Sequence, residues 1–216
     1  MSRAAIAGDI AVVIAERGRS LWSLDLAAAA ATGLAPQARR IAGATKGEGL
    51  YGDGLIDRQR HRWIGVQERE GRDQLVAVPL AGGEPEQLRA SEGFYGYPVL
   101  SPCGRHLAWI SWQHPCMPWD RSQLWLSSIT EAGTLRSVRA VAGSSPEDAH
   151  GVSVFQPLWC GADLVVANDR SGWWNLERLE AAGTRDPAEP LRWHPLLPMQ
   201  AEFAVPQWVY GMRTTA

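Results

Sequence analysis

The chain has 216 residues, 45% of them hydrophobic and 20% charged, with a formal net charge of −2. That is globular composition with length for a sizeable core, and it excludes the strongly basic balance of a nucleic-acid binder. No run of about 18 apolar residues is present to span a bilayer as a helix.

The apolar start of the chain is read as a strand rather than a leader. Asp9 interrupts it, and the pattern Ile10-Ala11-Val12-Val13-Ile14-Ala15 follows at once. Three scattered cysteines, Cys103, Cys116 and Cys160, point to reduced thiols and a cytoplasmic location.

In chain order, the elements repeat. The first segment, residues 9–42, has the strand from Ile10, a turn at Arg17-Gly18-Arg19 and a second strand Ser20-Leu21-Trp22-Ser23-Leu24. Ala27 to Ala31 is a low-complexity connection, too short to hold a helix without packing.

The second segment, residues 50–89, has strands at Arg62 to Gln67 and Gln74 to Leu80. The arginines around Arg58 to Arg62 read as a solvated turn. Ala81-Gly82-Gly83-Glu84-Pro85 is a tight turn signal.

The third segment, residues 97–141, leads in with Pro98-Val99-Leu100. Ser101-Pro102-Cys103-Gly104 fits a type I turn, with Pro second and Gly fourth. Strands at Leu107 to Trp112, Gln123 to Ile129 and Arg136 to Val141 follow.

The fourth segment, residues 155–193, repeats the lead-in as Gln156-Pro157-Leu158-Trp159, then Leu164 to Ala167, a turn at Asp169 to Gly172, and a strand from Trp173 to Leu179. A fifth begins at residue 203 with Val205-Pro206-Gln207-Trp208 and stops partway at Ala216.

The equivalent residues Leu21, Leu75, Leu124 and Asn175 give a period of about 50 residues, with several strands in each. The expected fold is all-β: a partial β-propeller of about four four-stranded antiparallel blades plus the start of another. A blade cannot bury both faces alone, so such a chain is expected to be part of something larger. Most of the 11 Trp are expected to pack between blades.

Gly47, Gly49 and Gly52 spell G-x-G-x-x-G, but no helix pattern follows to receive a pyrophosphate. Gly143-Ser144-Ser145-Pro146-Glu147 lacks the last glycine of a nucleophile elbow. His61, His106, His114, His150 and His194 form no ligand pair, so no metal and no cofactor are expected. Glu147-Asp148 reads as solvated, and nothing in the sequence lowers the pKa of Cys103.

One loop stands out: His114-Pro115-Cys116-Met117-Pro118-Trp119-Asp120. It is long for a hairpin, stiffened by two prolines, and it presents Met117 and Trp119. It is expected either to contact a partner domain or line a channel, or to fold over its own blade.

The run Tyr97 to Trp112, the following His114-Pro115 with Met117-Pro118-Trp119-Asp120, and Gln123-Leu124-Trp125 resemble the propeller of the prolyl oligopeptidase family, in its acylaminoacyl-peptidase and dipeptidyl-aminopeptidase-like branch. Phe155 to Trp159, Asn168 to Leu176 and Pro206 to Met212 resemble the same branch in the same order. Cys103 departs from the family's usual Asp, and the turn at Trp159 to Asp163 is shorter than expected.

The resemblance implies a propeller that caps an α/β-hydrolase domain with a Ser-Asp-His triad and restricts entry to short peptides. No catalytic position of that domain falls within this sequence. The expected role is therefore non-catalytic, with the hydrolase domain and short peptides as partners. His114, Met117, Trp119, Asp120, Arg170 and Trp173 are the candidate interdomain or channel residues. A stand-alone binding propeller and a truncated product without function remain the alternatives.

Overall fold

The computed structural model describes residues 4–15, 18–43, 49–90, 93–184, 186 and 188–214. Arg17, Gly47 and Ala216, which carry parts of the turn, glycine and chain-break readings, lie outside the described residues. Among the described residues the structure is all-β apart from one short helix, with four four-stranded antiparallel sheets in simple up-and-down order, as in the blades of a partial propeller. The chain divides into two compact units, residues 1–92 and 93–216.

The first unit holds two sheets. The first contains β1 (Ala4–Ala7), β2 (Ile10–Ala15), β3 (Ser20–Asp25) and β4 (Ala38–Ala42). It begins earlier than the sequence suggests, because Ala4–Ala7 turns at Gly8 and pairs with Ile10–Val13. The alanine run is helical, α1 (Leu26–Thr32), contrary to expectation. It buries nothing, so its ends account for it: the Asp25 carboxylate accepts from Ala28 N, and left-handed Gly33 returns its N–H to the Ala29 carbonyl.

The second sheet contains β5 (Leu50–Asp57), β6 (Arg62–Arg69), β7 (Arg72–Pro79) and β8 (Glu86–Ala90). Its centre is Trp63, whose ring lies over the cross-strand pair Gly54 and Gly65. A Cβ at Gly54 would stand 2.2 Å from the indole, and one at Gly65 2.3 Å. The two glycines are thus the floor of the Trp63 site. Gly52 sits in β5, with strand rather than helix after it.

The arginine run is not simply solvated. Asp57 is fully buried and accepts from Arg60 and Arg62 at 3.1 Å each, so the turn folds around a buried ion pair. Only Arg58 behaves as a surface residue, with Asp9 at 3.2 Å. Val12, Leu21 and Ile41 of the first sheet join Tyr51, Trp63, Val76 and Val78 of the second in one core.

The second unit holds β9 (Phe94–Leu100), β10 (His106–Trp112), β11 (Gln123–Ile129) and β12 (Leu135–Gly143), then β13 (Val154–Cys160), β14 (Asp163–Asn168), β15 (Asn175–Leu179) and β16 (Trp193–Pro195). Ile110, Leu124, Leu126 and Val141 from one sheet pack with Phe155, Leu164, Val166 and Leu179 from the other. The tight turn departing from the family pattern is a two-residue hairpin, Gly161-Ala162, with Gly161 at φ 63° between paired Cys160 and Asp163. Residues 203–214, where the sequence places the start of a further blade, carry no strand.

Most of the tryptophans pack into the cores as expected, with Trp112, Trp119, Trp159 and Trp193 lying against the core that holds Trp174. Trp63, Trp109 and Trp174 are core residues, most others are half-buried, and Trp173 and Trp208 are exposed.

Candidate functional site

Strand direction gathers the candidate residues. In the second unit β10, β12, β14 and β16 all run toward one end of their sheets. The segments that leave that end are 113–122, 144–153, 169–174 and 196–214. The first carries His114, Met117, Trp119 and Asp120, and the third carries Arg170 and Trp173.

Segment 113–122 is an ordered platform. His114–Pro115 is a cis peptide. The Asp120 carboxylate accepts from Met117 N at 3.0 Å, and Asp120 N donates back to the Met117 carbonyl at 3.0 Å. Buried Ser153 donates to the Pro118 carbonyl at 2.8 Å, and Ser122 Oγ bridges both main-chain groups of Val154. Arg121 donates to the carbonyls of Ser145 and Pro146. The loop is thereby fastened to the following sheet, while His114, Met117 and Asp120 stay exposed.

Segment 169–174 is fixed from both sides. Gly172 N bonds the Asp169 carbonyl at 2.8 Å, closing the turn. Asp169 accepts from Ser153 N at 2.7 Å, which ties this turn to the same serine that holds Pro118. Burial pushes the Asp169 carboxyl up; the Ser153 N–H opposes this, and the negative charge of Glu202 adds to it. Glu202 itself accepts from Trp174 N at 2.7 Å. Arg170 is half exposed and donates through Nε to Glu177 Oε1 at 2.8 Å. Trp173, in the same turn segment, is exposed.

Trp119 meets Trp208, the two ring centroids 4.4 Å apart and tilted by 47°. Trp208 is 70% exposed, with Met117, Trp173, Leu196, Leu197 and Met199 also exposed at this end. Sequence reasoning found Trp119 but not its partner. The Pro206-Gln207-Trp208 motif marked the right segment, but only as the start of a strand. Ser153 and Glu202 carried no motif, and Asp169 was marked only as the start of a turn within a family-like run.

At the opposite end, the Ser101–Gly104 turn closes through Gly104 N to the Ser101 carbonyl at 2.8 Å. Ser101 Oγ takes the His106 N–H at 3.0 Å, a side-chain-to-backbone bond across the turn. Contrary to the sequence reading, the exposed Cys103 thiol is held below its ordinary pKa. Burial raises it, but the Ser101 hydroxyl and the N–H groups and charge of Arg105 outweigh that. His106 is lowered by burial and by Arg105. Asp148 is tied to Ser145 N rather than fully free.

Among the described residues no group of three acidic, Cys or His side chains could hold a metal, and no helix is long and apolar enough to cross a membrane.

No family model matches the chain, and no curated protein matches it. Solved structures do. Puromycin hydrolase, in an S511A mutant complexed with PGG, superimposes with a TM-score of 0.77 at 26% identity, over 97% of this chain and 32% of its own. A puromycin-hydrolyzing peptidase of Mycobacterium tuberculosis gives 0.74 at 26% identity, over 96% of this chain and 32% of its own. Prolyl oligopeptidase B of Galerina marginata gives 0.63 at 10% identity and shares the fold alone. The chain therefore spans about a third of the length of these neighbours. The similarity to the propeller region of prolyl oligopeptidase-family peptidases, read first from the motifs, holds in three dimensions.

Proposed function

We propose that this chain is the propeller portion of a serine peptidase of the prolyl oligopeptidase family, and that it limits access to a hydrolase domain so that short peptides enter and folded proteins do not. The observation that carries the reading is the likeness to two puromycin-hydrolysing enzymes over nearly the whole of this chain and about a third of theirs. The loop end of the second unit is the face offered to the hydrolase domain. It presents Met117, Trp173 and Trp208, with the half-exposed Arg170 paired to buried Glu177. Aromatic, Met and Arg side chains of this kind are enriched where proteins meet. The proposed location is the cytoplasm, in keeping with three cysteines that form no disulfide.

The chain itself is non-catalytic in this reading. Purified chain is expected to leave aminoacyl- and acyl-peptide reporter substrates uncut. Turnover that persists through repurification to constant specific activity refutes the reading.

A further inference from the structure

Besides Ser137 in β12, two non-glycine residues of the second unit hold left-handed backbone inside strands: Tyr97 at φ 54° in β9 and Gln156 at φ 57° in β13. They are equivalent positions of the repeat, each before a proline, Pro98 and Pro157. Each sits in a bulge, where register slips between Ala108 and Ile110 for β9, and between Phe155 and Leu158 for β13. Left-handed backbone strains a non-glycine residue, and bulges re-aim side chains. Both side chains belong to residues nine-tenths or more buried, Tyr97 at 6% and Gln156 at 5% exposed.

What they are aimed at is chiefly main chain. Tyr97 Oη donates to the Val209 carbonyl at 3.1 Å. The Gln156 carboxamide accepts from Thr214 N and donates to Thr214 Oγ1 at 3.2 Å. Between them, Tyr210 Oη donates to the Tyr95 carbonyl at 3.1 Å. Residues 209–214 thus cross β9 and β13 as an irregular strap read through its peptide groups. The strap holds no ladder, and Val205, the repeat counterpart of Tyr97 and Gln156, does not adopt their left-handed backbone.

We infer that Tyr97 and Gln156 form a binding site for the main chain of an extended peptide, filled in this structure by the chain's own residues 209–214. The inference rests on the reading of the protein as a peptidase propeller, and names the groups by which a passing peptide would be held. A phenolic hydroxyl that meets a carbonyl and a carboxamide that meets an N–H read groups common to every peptide, and the bond from Gln156 to the Thr214 hydroxyl adds a preference for a hydroxyl side chain at that one position. Trp119 against Trp208 pins the strap just before it enters the site.

The test uses the full chain and needs no hydrolase domain, so it separates from the failure of the functional reading. A synthetic peptide with the sequence of residues 207–214 is titrated into labelled chain carrying Trp208→Ala, which loosens the internal strap. Saturable shifts are expected at Tyr97 and Gln156. Tyr97→Phe and Gln156→Met, each added to that chain, should weaken binding by about three- to tenfold, the worth of one hydrogen bond. A peptide N-methylated at the position of Thr214 should bind about three- to tenfold more weakly, because it lacks the N–H that Gln156 accepts. Thermal unfolding of each variant verifies that it is folded. Absence of saturable binding overturns the inference, and so does binding that is indifferent to both substitutions.

Discussion

Trp119 and Trp208 face each other at 4.4 Å between ring centroids, one from the connection between β10 and β11, the other from the segment after β16. This contact joins two of the motifs that carry the family resemblance. It explains why a hairpin connection should hold a tryptophan between two stiffening residues, Pro118 and the Asp120 cap. Tilted aromatic pairs add about 0.5–1.5 kcal/mol beyond their buried area.

A double-mutant cycle on Trp119→Ala and Trp208→Ala should therefore be non-additive. Each substitution should lower the unfolding free energy by roughly 1 kcal/mol, and the pair should cost less than the sum, with a coupling of about 0.5–1.5 kcal/mol. Denaturant unfolding of the four chains measures it. Strict additivity would mean that the two rings touch without stabilising each other.

Asp169 gives a prediction of opposite sign to the usual surface carboxylate. Its folded pKa is raised, by burial first and by Glu202. The neutral form is thus favoured by folding: its stabilising effect is complete below the unfolded pKa and is lost as pH rises through the folded one. Asp169→Asn keeps an oxygen for the Ser153 N–H and removes the charge. The variant should gain stability over the parent at pH 7 and lose that advantage at pH 4, as read by thermal unfolding. A variant less stable than the parent at pH 7 would show that the carboxylate charge is needed where it sits.

In the first unit, the floor beneath Trp63 is equally exposed to test. An added methyl at Gly54 meets a fully buried indole at 2.2 Å that has no free direction to retreat. Gly54→Ala should destabilise by about 1–3 kcal/mol, the ordinary cost of overpacking. Gly71→Ala, where an added Cβ meets nothing within 4 Å but φ is 77°, is the control for backbone strain without a clash. Gly54 itself has no left-handed backbone to strain, so a loss there no larger than at Gly71 would mean that the indole gives way to the added methyl.

Much of the architecture was legible because blade strands announce themselves by β-branched and aromatic runs separated by Gly and Pro turns. The third segment needed almost no adjustment: its turn at Ser101–Gly104 and its strands fall where the residues place them. What escaped was decided by partners distant in sequence or by end effects. The helix at Leu26–Thr32 depends on caps outside the alanine run. Arg60 and Arg62 look solvated until the fold buries Asp57 between them. In the candidate site, Trp119, Arg170 and Trp173 were visible as unusual residues in turns. Ser153, which holds both turns through one hydroxyl and one N–H, sits in an unremarkable Gly-Val-Ser-Val run.

The most direct test of the account joins this chain to the hydrolase portion of a puromycin-hydrolysing neighbour, in place of the matching third of that enzyme. Peptide-length selectivity of the chimaera is then measured against the isolated hydrolase portion. The account predicts cleavage of di- and tripeptide reporters and exclusion of a peptide of about 30 residues that the isolated portion still cuts. A folded chimaera that cleaves long and short peptides in the same ratio as the isolated portion would contradict it.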